Sequence, residues 1–370
     1  MTTIPSEQIM ENMSRFAAEH IAPCYDLSER DDFPHDLWEE MAQAGLFKIG
    51  LDERDGGSGG EYLSLTEVAD ALVANGYNIG IAASWLYQQI VARFIIGGFG
   101  SEEQKHQLLP QMALGKLTVS FAVSEPKRGA HPNYLKTTAV KDGSFYTING
   151  EKTFLTNGPI AGLFIVIAVT EEGDKKKFTA FLIPRHTAGL KVGPPLKFDF
   201  LKPSPHGSLV LNNCRLPDTT ILGKEGKAYR EMVIALGEIE DIVMMGAATG
   251  AMAAQLSLLI SATGEGKIVS TKLLKDKMGE QDATLQTIRR IAYSASVGLD
   301  RGDAHSVAQA INFMNLAAEF QLNMDAIINE CNLHTDKRYS YLRSDLTAVM
   351  VLKKKITQGR QAKRGRVGGC

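Results

Sequence analysis

The chain has 370 residues, 44% hydrophobic and 22% charged, enough for two or three units of roughly 150 residues or one large chain with a sizeable core. Its 40 Lys+Arg against 42 Asp+Glu leave a formal charge of -2, which removes any global electrostatic case for nucleic acid. The four cysteines, Cys24, Cys214, Cys331 and Cys370, lie far apart without a CxxC pair; this argues against a disulfide framework or zinc knuckle and suits a reducing cytoplasm.

In chain order, the opening MTTIPSEQIMENMSRF is amphipathic and acidic, unlike a secretory leader. Ser6 starts a helical period that Pro23 stops, and Leu37, Trp38, Met41 and Leu46 recur at helical spacing. Asp55 to Gly60 reads as a flexible loop. Leu63 to Ala74 and Gly80 to Phe94 have the apolar, alanine-rich texture of inner helices. Ser101 with Gln104 predicts a capping box, and Pro110 a kink or stop soon after. No run of about 18 apolar residues is expected to span a membrane.

From Leu117 to Leu222 the period drops to two. Asp142-Gly143 and Asn149-Gly150 read as hairpin turns, and Leu163 to Val169 and Phe178 to Ile183 as strands. The helical period returns with Ala228 to Leu259, Leu273 to Leu299 and Ala304 to Asn329. The expected fold class is α+β: an N-terminal helical domain (1–116), a middle antiparallel β domain (117–225) and a C-terminal bundle of four-helix type (226–352). The basic 353–370 tail reads as disordered. Eight histidines are scattered without metal-ligand spacing, so no metal site is expected. Nor is there a GxGxxG, P-loop, HExxH or GxSxG motif.

Two segments are more particular. Phe121-Ala-Val-Ser-Glu-Pro126 and Asn149-Gly-Glu-Lys-Thr-Phe-Leu-Thr-Asn-Gly158 resemble the Thr-Glu-Pro and NGxKxWITNG segments of the acyl-CoA dehydrogenase family. Leu222-Gly-Lys-Glu-Gly226 is similar to that family's turn at the exit of the β domain, and the domain order matches from about Ser6 to Asn329. The resemblance implies FAD as cofactor. It gives Phe121, Val123 and Ser124 flavin-contacting positions, places Phe154 where a tryptophan packs on the flavin, and Leu155 beside it. It puts Thr156 near the flavin N5 edge, and Gly129 and Ala130 at the pyrophosphate turn. It further implies α,β-dehydrogenation of an acyl thioester carried on CoA or on a carrier protein, an electron-transfer flavoprotein as a possible partner, and a homodimer or homotetramer.

The reaction needs a carboxylate to take the α proton, and an apolar surrounding raises such a group toward working pH. Glu240 shares a helix face with Leu236, Val243 and Met244 and matches the base position of the isovaleryl-CoA-type branch. Tyr339 stands where other members place the base, and Asp241 where an arginine usually contacts substrate; both are assigned to the substrate site by that resemblance. Several family features are altered: Ala130 replaces a pyrophosphate-bonding serine, beside Lys127 and Arg128, and no arginine occurs between Arg230 and Arg289. The alternative reading is a scaffold or binding subunit of the same fold that has lost catalysis. A third is another flavin reaction, such as oxygenation.

Overall fold

The computed structural model describes residues 6–266 and 268–351. The predicted basic tail lies outside them. Helix α1 (Ser6–Phe16) continues through a π-turn to Ile21, and α2 (His35–Gln43) buries Leu37, Trp38 and Met41 on its predicted face. Next come α3 (Tyr62–Gly76) and α4 (Ile79–Ile90), which runs on through π-helical Val91–Ile96 and the single turn α5 (Gly97–Phe99). Then α6 (Glu102–Ala113) starts in the predicted capping box: Gln104 N–H donates to Ser101 Oγ at 3.2 Å and Ser101 N–H to Gln104 Oε1 at 3.0 Å. Pro110 does not stop it. The proline sits in the last turns, and Leu114 N–H still donates to the Pro110 carbonyl at 3.1 Å. The glycine-rich loop is closed rather than loose, because Leu51 and Gly59 pair as a bridge.

The middle of the chain forms an eight-stranded sheet. Its strands are β1 (Val119–Ala122), β2 (Thr138–Asp142), β3 (Phe145–Thr156), β4 (Leu163–Glu171), β5 (Lys177–Pro184), β6 (Leu190–Val192), β7 (His206–Pro217) and β8 (Ile221–Leu222). The order is β6-β7-β3-β2-β4-β5-β8, with β1 added beside β4. Most pairings are antiparallel as expected, but β1 and β2 both run parallel to β4, so the sheet is mixed. Asp142-Gly143 is the predicted hairpin turn, closing β2 onto β3. Asn149-Gly150 is not a turn. It sits at a register shift inside β3, where a Cβ on Gly150 would come within 2.4 Å of Thr137 Oγ1. Glycine is needed there for close passage across a neighbour, and local sequence cannot tell that from a turn.

The continuous apolar run of β4 is explained by burial on both faces. Leu163, Ile165, Ile167 and Val169 join a core shared with the helices, while Phe164, Val166 and Ala168 fill a second core inside the β domain.

After a π-turn (Tyr229–Val233), α7 (Ile234–Gly264), α8 (Lys272–Asp300), α9 (Ser306–Glu330) and a helical segment at 337–351 form the bundle. Helix α7 packs against α3 at backbone distance: a Cβ on Gly246 would lie 2.0 Å from Thr66 O, and one on Gly250 2.4 Å from Asp70 O. Helix α8 ties in through Asp300, whose carboxylate accepts from Tyr62 and Leu63 N–H at 2.9 and 3.2 Å and so caps the start of α3. Buried Asp70 accepts from Arg289 at 2.7 Å and from Tyr293 at 2.9 Å. The first and last helical segments therefore share one hydrophobic core. Contrary to the sequence expectation, Ile79–Phe99 and Tyr229–Gly264 are long and apolar enough to cross a membrane; their most apolar windows are 78% and 83% buried, which makes them core helices.

Candidate active site

The two particular segments meet through a buried ion pair. Lys152, fully buried, donates to Glu125 Oε1 at 3.0 Å and to the Val123 carbonyl at 3.0 Å. Glu125 also accepts from Thr137 N–H and Oγ1 at 2.8 and 2.7 Å and from Lys136 N–H at 2.7 Å. Burial pulls the Glu125 carboxyl upward, but the Lys152 charge and these donors together hold it below its usual range. Burial wins at the other partner, where the Lys152 ammonium falls to about 8 despite Glu125. Thr153 N–H donates to the Ser124 carbonyl at 2.9 Å, completing the junction. The Glu-Pro and Asn-Gly-x-Lys motifs thus form one rigid platform.

The platform displays Phe154. This residue has φ of 58° and a ring 55% exposed, stacked at 6.2 Å on Phe198 from the segment before β7. Thr156 follows, half-buried; Ser120 Oγ donates to its carbonyl at 2.8 Å. Ser124 is half-buried, while Phe121 and Val123 are buried against the shared core. The side chain of Leu155 lies in the second core, 1% exposed, so only its main chain can meet a group resting on Phe154. Gly129 (φ 62°) closes a tight turn with reciprocal hydrogen bonds to Glu125, and Lys127 and Arg128 project from that turn into solvent. Tyr229 donates to the Ala130 carbonyl at 2.7 Å and pins the turn to the bundle side.

Helix α4 supplies the facing wall. Gln88 bridges it to β1, donating to Leu117 O at 2.8 Å and accepting from Val119 N–H at 3.0 Å. Asn157 Nδ2 donates to Ser84 O at 2.9 Å, and Tyr87 donates to Phe121 O at 3.2 Å. From α7, Glu240 stands close enough to act electrostatically on both Tyr87 and His206. Burial first, then the Glu240 charge, raises the Tyr87 phenol; burial lowers His206, opposed first by its hydrogen bond to the Ser204 carbonyl and then by the Glu240 charge. Tyr87, Thr156, His206 and Glu240 all keep partial exposure. Leu236 and Val243 on the Glu240 face are buried, as the spacing predicts.

Asp241, the next residue, is half-buried on α7 and lies about 100° around the helix. Tyr339 is 3% exposed in the shared core. Burial, then the Asp325 charge, raises its phenol, with Arg343 opposing. Its surroundings are thus those of a core residue between α9 and the 337–351 helix. Sequence reasoning did not single out His206, Tyr87 or Phe198, for which it carries no motif; each meets the platform segments only through long-range contacts.

The site fits a flat aromatic group: an exposed ring, hydroxyls and backbone at its margin, and cations on the adjoining turn for phosphate. A helical region, a β sheet and a helical bundle meet around these residues, the three-part α+β architecture expected from the sequence. The description "Acyl-CoA dehydrogenase, N-terminal domain" matches residues 5–116 and "Acyl-CoA dehydrogenase, middle domain" residues 120–214, together more than half of the chain. The chain belongs to the acyl-CoA dehydrogenase family, whose members are FAD-dependent oxidoreductases. It is 29% identical over 315 residues to an acyl-CoA dehydrogenase of Bacillus subtilis (strain 168), covering 81% of this chain and 80% of the relative. It is 28% identical over 304 residues to an L-prolyl-[peptidyl-carrier protein] dehydrogenase of Pseudomonas fluorescens, covering 79% and 78%. The solved butyryl-CoA dehydrogenase of Megasphaera elsdenii superposes with a TM-score of 0.85 over 98% of this chain and 99% of that one, at 22% identity, a likeness of fold.

Proposed function

We propose that the protein dehydrogenates an acyl thioester between its α and β carbons, with Glu240 as the base that takes the α proton. The observation that carries this is the position of Glu240 on α7, within electrostatic reach of Tyr87 and of His206, whose ring in turn contacts Thr156 of the platform. Phe121, Val123, Ser124, Phe154 and Thr156 would hold the flavin ring, with Leu155 contributing main chain, and the Gly129–Ala130 turn with Lys127 and Arg128 its phosphates. FAD, when bound, supplies the acceptor for the β hydride. With a flat ring resting on them, the Phe154 and Phe198 rings would shield that side from water, and the buried Lys152–Glu125 pair ties the two platform segments together.

The carrier is CoA or a carrier protein; the names of the Bacillus and Pseudomonas relatives support both. An electron-transfer flavoprotein is the proposed electron acceptor, and a homo-oligomer the proposed state; exposed Ile260, Leu273 and Leu322 on the bundle support the latter. Glu240→Gln is expected to keep the fold and bound flavin and to lower turnover at least ~10²-fold, as loss of a general base does. Stopped-flow bleaching of flavin absorbance with candidate acyl thioesters checks it, and an unchanged rate would remove Glu240 from this role.

A further inference from the structure

Three groups in the cleft fix one another's protons. His206 opens β7 and pairs in register with Thr156 of β3. Its Nδ1 lies 3.1 Å from the Ser204 carbonyl, and its Nε2 lies 3.3 Å from Thr156 Oγ1. A carbonyl only accepts, so Nδ1 must carry a proton. Burial disfavours the charged ring, leaving Nε2 with a lone pair. The Thr156 hydroxyl is then the only available donor in the second contact. Phe198 stands edge-on to the imidazole at 5.4 Å, and Ser204 is tied to α4 by a 2.9 Å bond from Ser84, so the ring has little freedom to turn.

We propose that His206 is a positioning residue that consumes the Thr156 proton, so that Thr156 faces the cleft as a hydrogen-bond acceptor. A hydroxyl has one hydrogen. Once that hydrogen is given to Nε2, Thr156 can bind an N–H group in the cleft but cannot donate to a bare ring nitrogen. This inference rests on the flavin reading for its consequence. An oxidised isoalloxazine presents unprotonated N5, whereas the reduced ring presents N5–H. Where Thr156 meets the N5 edge of a bound flavin, as the family resemblance implies, the arrangement would favour the reduced form.

The test has two arms on the full-length protein. In cofactor-free protein, ¹⁵N-resolved NMR of His206 is expected to show the neutral Nδ1–H form; an Nε2–H or doubly protonated ring overturns the proposal whatever the flavin does. In FAD-loaded protein, His206→Leu frees the Thr156 proton, and the reduced-to-oxidised ratio at a fixed potential is expected to fall about tenfold, the worth of one hydrogen bond. His206→Gln, whose side-chain carbonyl can accept from Thr156, is expected to restore it. Equal ratios in all three proteins overturn the proposal. Failure of the wild-type protein to take up FAD, with Nδ1–H observed, would overturn the flavin consequence and the proposed function while supporting the hydroxyl's orientation.

Discussion

At the scale of single residues, the Lys152–Glu125 pair shows how a short motif acts through its interior. Both side chains are buried, and every charge on them is matched by a hydrogen bond. Removing one partner leaves a carboxylate in a dry site, which typically costs ~3–5 kcal/mol. Lys152→Met is therefore expected to lose stability of that order in urea denaturation. Adding Glu125→Gln to it should recover part of the loss. A single variant as stable as wild type would mean that water reaches the pair. The two motifs were legible as words in the sequence, but their pairing was not, because 27 positions separate the two residues. The face of α7 that carries Glu240 was legible because helical spacing gives it directly, with Leu236 and Val243 buried beside it. Phe154 was legible as an aromatic and not as an exposed one: its left-handed backbone follows from a register shift with β7 that no local propensity encodes.

At the scale of elements, the segment between β6 and β7 is held from the last helix. Asp345 accepts from Leu201 N–H at 2.8 Å, at a residue with φ of 54°, and burial pushes its carboxyl from 3.8 up to about 6. The folded chain therefore holds this proton more tightly than the unfolded chain does. Between about pH 4 and pH 6 the folded state binds more protons, so the Asp345 contribution to stability falls as pH rises through that window and then levels off. A shift of about two units corresponds to roughly 3 kcal/mol. Asp345→Asn keeps an oxygen for Leu201 and removes the titration. The variant is expected to match wild type near pH 4 and to exceed it by up to ~3 kcal/mol at pH 7, read from denaturant curves at both values. A stability difference that does not change with pH would show that Asp345 ionises without penalty. The same elements mark where sequence reasoning stopped. Helices with caps and periodic faces were predicted nearly to their ends. The mixed pairing of β1 and β2 with β4 was missed, since a two-residue period reports a strand but not the direction of its neighbour.

At the scale of the whole molecule, the three-part order was legible, while the continuity of its helical parts was not. Helices α3 and α7 lie far apart in sequence, yet they approach so closely that Gly246 and Gly250 meet main-chain atoms of α3. The small-residue stretch of α7 thus serves packing inside the chain. A side chain at position 250 would meet Asp70 O at 2.4 Å and Val73 Cβ at 2.9 Å, and neither backbone nor buried β-branched side chain can step aside cheaply. Gly250→Val must therefore push the N-terminal helices off the bundle. A loss of at least ~1–3 kcal/mol is expected, the usual cost of overpacking. Calorimetry should show the single transition of a shared core splitting as the two helical regions uncouple. Gly279, on the exposed face of α8 with no atom within 4 Å of its Cβ position, is the matched control. Gly279→Ala should gain about 1 kcal/mol from helix propensity alone and keep one transition. If Gly250→Val melts like wild type, α3 and α7 are not held at backbone contact in solution.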